Sequence, residues 1–414
     1  MSSAASLLRA AAGPTAALRV AIQDSIGDVP PAEWDALAEE NVLASHGWLA
    51  TVERTRLGGL SPRYLTVRDG LRLVGAAVCT PARATDEVET LDHILFGRLR
   101  RVAAALGLSF LPALVCGLTR GAGFHPLLCP SLRPEARNRV LDVIIDAVEC
   151  EAARLQLRPC FGEVRASDGE LATGLASRGY AAAVDTPVNV LDIATTSFDD
   201  YLRQLDRITR GARKDVRRQL NQNRARGTEI VTLDDPEPAA DRLHELMNLN
   251  ERAHNARHFA FSRDFFPVVK QNLGDDAIVY AAIKGDRITA VSLLLRRGQT
   301  GHLPMVGVDH AAAGRDFTFF TVAHHRPVAD AIASGIRRLY LGRSLYDLKA
   351  RRGCRLEETL VFYRPSRRLG ALASRRWFAV LSAWNRAKLP RRARRRREAL
   401  SSSDASRSPG SAMP

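Results

Sequence analysis

Nine residues in the last fifth of the chain, Tyr346-Asp347-Leu348-Lys349-Ala350-Arg351-Arg352-Gly353-Cys354, gather a phenol, a carboxylate, an ammonium and two guanidiniums. An ammonium at Lys349 has two chemical uses. It can stabilise the oxyanion that forms when an ester carbonyl is attacked, a contact worth about 2.7–4 kcal/mol, or it can grip a phosphate. Asp347 can orient that lysine or take the proton of an attacking nucleophile, and it serves equally well as a helix cap. Tyr346 is expected to pack against this segment.

The segment has an earlier, altered copy. Tyr64 to Val78 reads as strand, Asp69-Gly70 turn, strand, and Tyr280 to Leu294 repeats the pattern with Gly285-Asp286 at the turn. Each hairpin is followed by a long helical stretch, a short strand and a helix closing on Arg-Gly. The first copy closes as Leu175-Ala-Ser-Arg178-Gly179-Tyr180, the second as Lys349 to Cys354. Arg and Gly recur and so read as scaffold, with Gly just past the helix end. Lys349 replaces Leu175, which marks the second copy as the working one. Arg352 stays a substrate-binding candidate alongside Tyr346, with a structural role placed ahead of it.

Other residue sets carry weaker chemistry. Asp199 to Arg226 reads as one helix of two faces, with Leu205, Ile208, Ala212, Val216 and Leu220 forming an apolar stripe. Arg203, Arg207, Arg210, Lys214 and Arg217 recur at spacings of 4, 3, 4 and 3 on another face. Guanidiniums fork onto phosphate oxygens, so the stripe is weighed as a phosphate-binding face against a merely solvated one. Thr119-Arg-Gly-Ala-Gly123 is a lone glycine-rich loop and weak ground for a phosphate cradle. His324-His325 reads as a satisfied or exposed pair, since no carboxylate or third ligand stands at metal spacing. No nucleophile-elbow serine or catalytic cysteine context occurs.

The chain must position these groups with 414 residues, enough for two domains plus appendages. No apolar run is long enough to span a bilayer, and the Ala-rich start carrying Arg9 and Arg19 lacks a signal-peptide core. The six cysteines show no metal or disulfide spacing and suit a reducing cytosol. The net charge is +15; Ser366–Arg397 holds twelve Lys/Arg without an acid, and Leu202–Arg226 has a net +7, leaving the remainder near −4. Two basic devices on a nearly neutral body point to phosphate-bearing partners. The expected organisation is a disordered leader at 1–19, domains at 20–195 and 196–365, a basic amphipathic helix at 366–400 and a disordered tail at 401–414. Its class is α+β, with a mixed sheet flanked by helices in each domain.

From Val20 to about Pro365 the chain resembles the FemAB-like branch of the GNAT-type acyltransferases, built from two tandem GNAT-like domains. The matching stretches are Val29-Pro-Pro-Ala-Glu-Trp34-Asp-Ala-Leu37, Ser45 to Leu49, Tyr201 to Gly227, and the closing motif Gly342 to Thr359 with Lys349-x-x-Arg352-Gly353. The resemblance implies amide formation by acyl transfer, often of an aminoacyl group from charged tRNA to an amine of a cell-wall precursor or small molecule. It places Lys349 at the reaction centre and implies that Arg213, Lys214 and Arg217 bind substrate. Many relatives carry Glu-His before the lysine, where Asp347-Leu348 stand here. Acetyl-CoA users of this fold show an Arg/Gln-x-x-Gly-x-Gly/Ala turn before a helix; Asp309 to Phe317 lacks it. Aminoacyl-tRNA is therefore the favoured co-substrate and acyl-CoA the alternative, with no tightly bound cofactor and no metal. A cytoplasmic protein is expected, peripheral at the inner membrane face through Trp377, Phe378, Val380, Leu381 and Trp384. The other reading of that segment is a helix packed on the second domain.

Overall fold

The computed structural model describes residues 18–57, 61–83, 111–117, 126–255, 258–314 and 316–364, with 376, 378–380, 382–383 and 386–387 beyond them. The leader before residue 18, the Thr119–Gly123 loop, most of 81–105 and the end of the chain lie outside the described residues.

The first unit opens with β1 (Arg19–Gln23), α1 (Pro31–Ala38) and α2 (His46–Thr55). Proline at the first helical position preorganises α1, and buried Trp34 donates its indole N–H to the Ala44 carbonyl at 2.7 Å. The Ser45 hydroxyl caps α2 by accepting from the Trp48 amide. There follow β2 (Arg63–Asp69), β3 (Arg72–Ala82), β4 (Ala113–Cys116), β5 (Leu127–Leu128), α3 (Pro134–Arg154), β6 (Arg158–Arg165), α4 (Gly169–Ser177) and β7 (Ala181–Val184). The first unit ends in β8 (Val188–Asp192), and the second supplies α5 (Phe198–Ile208), α6 (Ala212–Ala225), β9 (Thr228–Leu233), α7 (Ala240–Asn255), α8 (Phe265–Leu273), β10 (Ala277–Lys284), β11 (Arg287–Arg297) and β12 (Thr300–Val308). A helical stretch over 318–333 ends in α9 (Arg326–Ala333), and β13 (Arg338–Tyr340), α10 (Tyr346–Arg351), β14 (Arg355–Glu357) and β15 (Thr359–Tyr363) complete it.

The two hairpins form as the repeat predicts, with one correction. Pairing of Asp69 with Arg72 leaves Gly70-Leu71 as the first loop, and pairing of Lys284 with Arg287 leaves Gly285-Asp286 as the second. Glycine therefore aligns with glycine, not with aspartate. The first loop position takes a positive φ (59° at Gly70, 64° at Gly285), which glycine adopts without a Cβ penalty.

Sheet one runs β1-β2-β3-β4-β6-β15-β7, with β5 on β3; sheet two runs β14-β8-β13-β12-β11-β10-β9. The expected α+β class and two GNAT-like mixed sheets flanked by helices are what the fold contains. Among the described residues each sheet has one parallel pair, β4 with β6 and β12 with β13. The closing strands are exchanged. β8 enters sheet two between β13 and β14, and β15 enters sheet one between β6 and β7. One hydrophobic core spans both units, joining Trp34, Trp48 and Leu73 to Leu246, Phe265 and Val291. A Cβ on Gly47 would lie 2.6 Å from the Asn272 carbonyl, so the close approach of α2 to α8 requires glycine there.

The described residues of the C-terminal segment are helical and pack on sheet one, against first-unit strands and the second unit's β15 together. Phe378 is buried with Val115, Cys160, Val361 and Tyr363, and the Ser382 hydroxyl accepts from the Val184 amide on edge strand β7. Phe378, assigned to a lipid surface in the amphipathic reading, is thus spent on the core. Trp377, Leu381 and Trp384 lie outside the described residues.

Candidate active site

β13 and α10 place the closing motif. Gly342 turns the chain at φ 73°, and the amide of Asn189, on exchanged strand β8, donates to the Gly342 and Ser344 carbonyls. The Tyr346 hydroxyl donates to the Pro187 carbonyl at 3.0 Å, so this ring packs as expected. Asp347 is exposed and makes no cap; the residue preceding the helix is Leu345, at φ 55°. Two residues apart on α10, Asp347 and Lys349 do not share a helix face.

Both copies of the closing helix end in the same turn. The Tyr180 amide donates to the Leu175 carbonyl and the Cys354 amide to the Lys349 carbonyl, with Gly179 and Gly353 at φ 84° and 94°. Leu175 is fully buried in the core, whereas Lys349 aims its ammonium at the Leu341 carbonyl at the end of β13. Burial lowers the lysine to about 8. There β12 and β13 part, because their pairing covers only Thr300–His302 against Arg338–Tyr340 while β12 continues to Val308.

The recurring arginines do different work. Arg178 lies at the surface against Asp142 and Asp146, whose side chains are 57% and 62% exposed. Arg352 is buried, donating to Asp215 at 3.2 Å and to the Gln219 side chain at 3.1 Å. Breaking a fully buried pair costs about 3–5 kcal/mol, and the 41% exposure of Asp215 brings the loss below that. Arg352→Met is expected to lower Tm by several degrees, and Arg178→Met by about one degree or less. Thermal unfolding of the two variants checks this; equal shifts would refute the distinction.

Sequence reasoning read His324 and His325 as a satisfied or exposed pair and gave them no role. Both are buried, on a π turn (Thr321–His325) whose Val322 carbonyl accepts from the Ser292 hydroxyl of β11 at 2.6 Å. They are neither exposed nor both satisfied. His325 Nε2 lies 2.9 Å from Gln219 Oε1, while both ring nitrogens of His324 lack a partner. Burial first, then the neighbouring His325, Arg352 and Lys349 charges, push His324 well below its ordinary value; burial and Arg352 take His325 to about 3. The adjacent pair was visible, but a regular helix period cannot show that both rings turn inward. No metal-binding group of His, Cys, Asp or Glu occurs among the described residues.

The basic stripe is not one helix. Thr209 is extended, Gly211 sits at φ 80°, and α6 restarts with the Asp206 carboxylate accepting from the Arg213 amide. Arg213 and Arg217 both reach Asp199, at 3.2 and 2.8 Å. One straight helix would hold residues 199 and 217 about 27 Å apart. Hydrogen-bonded Arg217 keeps the Asp199 carboxyl below its usual range. Of the three implied substrate-binding residues, two are thus spent on Asp199. Lys214 is exposed and, with exposed Arg207 and Arg210, makes no ion pair among the described residues.

Asp316 closes the segment that lacks the phosphate-binding turn. It is fully buried and accepts from the Thr318 amide and hydroxyl and from the Thr228 hydroxyl, with the Lys284 ammonium 3.5 Å away. Burial alone would raise its pKa, but the Thr318 and Thr228 hydrogen bonds and Lys284 hold it low. The helix start after β12 therefore already carries a carboxylate.

Two tandem GNAT-like units, with a half-buried lysine on the closing helix of the second, are the build of an acyltransferase. Residues 25–368 match the FemAB-like family of peptidoglycan biosynthesis and recognition, and the chain belongs to that family. Among solved structures it is similar to FemX, 13% identical, over 83% of this chain and 98% of that one, with a TM-score of 0.55. It is also similar to the C-terminal domain of a putative lysylphosphatidylglycerol synthetase from Agrobacterium fabrum. That match is 13% identical, over 84% of this chain and 95% of that one, with a TM-score of 0.51. No curated protein matches the sequence. No described helix is long and apolar enough to cross a membrane.

Proposed function

We propose that this acyltransferase moves an aminoacyl group from charged tRNA to an amine of a cell-wall precursor or small molecule. The observation that carries the choice of donor is Asp316. The N-terminal end of a helix attracts a pyrophosphate through its free amides, but here the Thr318 amide is taken by the chain's own carboxylate. A pyrophosphate brought to that point would meet a buried negative charge. The exposed cations Arg207, Arg210 and Lys214 favour a polyanionic donor instead.

In the reaction, the acceptor amine attacks the ester carbonyl carbon, the C–N bond forms and the ester C–O bond breaks, its electron pair leaving on the ribose oxygen. The Lys349 ammonium stabilises the intervening oxyanion. The proton released by the amine is passed on to the ribose oxygen as it leaves; Asp347, on another face of α10 from Lys349, is not placed to carry it. Of the substrate-binding candidates Lys214 is the one left exposed toward a donor, since Arg213 and Arg217 hold Asp199, Arg352 holds Asp215 and Tyr346 holds the Pro187 carbonyl.

Incubating the purified protein with amine acceptors and either charged tRNA or acyl-CoA thioesters tests the donor. Amide formation from charged tRNA, abolished by ribonuclease treatment of the donor, is the expected result. Transfer from thioesters alone would reject the tRNA donor.

A further inference from the structure

Four buried polar atoms without a partner lie behind Lys349: both ring nitrogens of His324, Nδ1 of His325 and Nε of Arg352. Buried polar groups in native proteins are nearly always paired, so a cluster of exceptions calls for a ligand or water that completes it. The cluster is held in place rather than loose. Gln219 Oε1 accepts from Arg352 and faces His325 Nε2, Asp215 balances Arg352, and Ser292 ties the π turn to β11. π turns recur at functional sites.

The hydrogen-bonding roles narrow what fits. Because Gln219 Oε1 only accepts, His325 Nε2 carries the proton and its Nδ1 is an acceptor. Arg352 Nε is a donor, and an uncharged His324 offers one of each. Asp215 already balances the Arg352 charge, which leaves little to draw an anion, and Lys349 and Arg352 repel a cation. We propose that His324 receives an uncharged donor–acceptor group of the substrate, a hydroxyl or a carboxamide, beside Lys349, and so helps set the specificity of acyl transfer. This rests on Lys349 being the reaction centre.

His324→Phe removes both nitrogens and keeps a ring; His324→Asn restores a donor and an acceptor. Thermal unfolding requires no substrate. Relief of an unpaired buried imidazole should leave the Tm of His324→Phe at or above that of the parent protein. A fall of more than a few degrees would show His324 satisfied within the resting protein and overturn the proposal. Transfer is then measured with whichever donor the parent protein uses, so failure of charged tRNA strikes the donor assignment alone. His324→Phe is expected to lose about tenfold to a hundredfold in kcat/KM, with most of it regained in His324→Asn. Undiminished kcat/KM in His324→Phe, or no recovery in His324→Asn, would equally overturn it.

Discussion

Lys349→Met is expected to lower kcat by about 10²–10³, the loss of one oxyanion contact of about 2.7–4 kcal/mol, while Tm stays within a few degrees. The variant keeps the length and apolar stem of the lysine and removes only the ammonium. Burial lowers Lys349 to about 8, and the acting form is the charged one, so kcat of the parent protein should fall as pH rises through 8. Lys349→Arg, charged throughout, should lose that descending limb. Stability follows the opposite sign. Between the folded value near 8 and the unfolded value near 10.4, the unfolded chain binds more protons, so stability rises with pH across that window. Below 8 the buried ammonium costs stability, and Lys349→Met should be as stable as the parent or more so. A pH–rate profile and thermal unfolding at several pH values check both statements. Near-normal turnover of the Met variant would remove Lys349 from the mechanism.

Charge reversal of Arg207, Arg210 and Lys214 to Glu is expected to weaken tRNA binding and flatten its salt dependence. Each phosphate contact contributes about 0.7–0.9 to the log–log slope, so losing three should reduce it by about two to three. Arg213 and Arg217 are poorer choices for this experiment because both hold Asp199, and reversing them would disturb the packing of α6 on α5. Filter-binding or fluorescence titrations from low to physiological salt provide the measurement. An unchanged slope would return Arg207, Arg210 and Lys214 to an ordinary solvated face.

The parts of this fold that could be read from the sequence are those whose information is local. α3 carried a long helical period, and both hairpins carried strand alternation around a glycine. Gly211 was equally visible, yet the apolar and basic stripes run through it in phase, and only the Asp199 contacts show that α6 folds back. At the site, the replacement of Leu175 by Lys349 singled out the lysine because the two closing turns share one backbone geometry. The Arg178–Arg352 repeat hid a difference, since identical residues at matched positions lie on a surface in one unit and in a core in the other. His324 escaped because its meaning depends on α6, α10 and β11 around it, none adjacent in sequence.

The exchange of β8 and β15 turns the two units into links of one chain mail. Pulling them apart would require breaking two strands out of the middle of two sheets, each paired on both sides. Neither unit has a complete sheet by itself, so a cut between them leaves each sheet without a strand paired on both sides. The same crossing fixes the frame around Lys349. Asn189 on β8 holds the Gly342 turn, and Arg343 reaches back to Asp185 and Glu163 of the first unit. The Lys349 frame is therefore tied to both sheets at once, and a change that loosens either crossing strand reaches it.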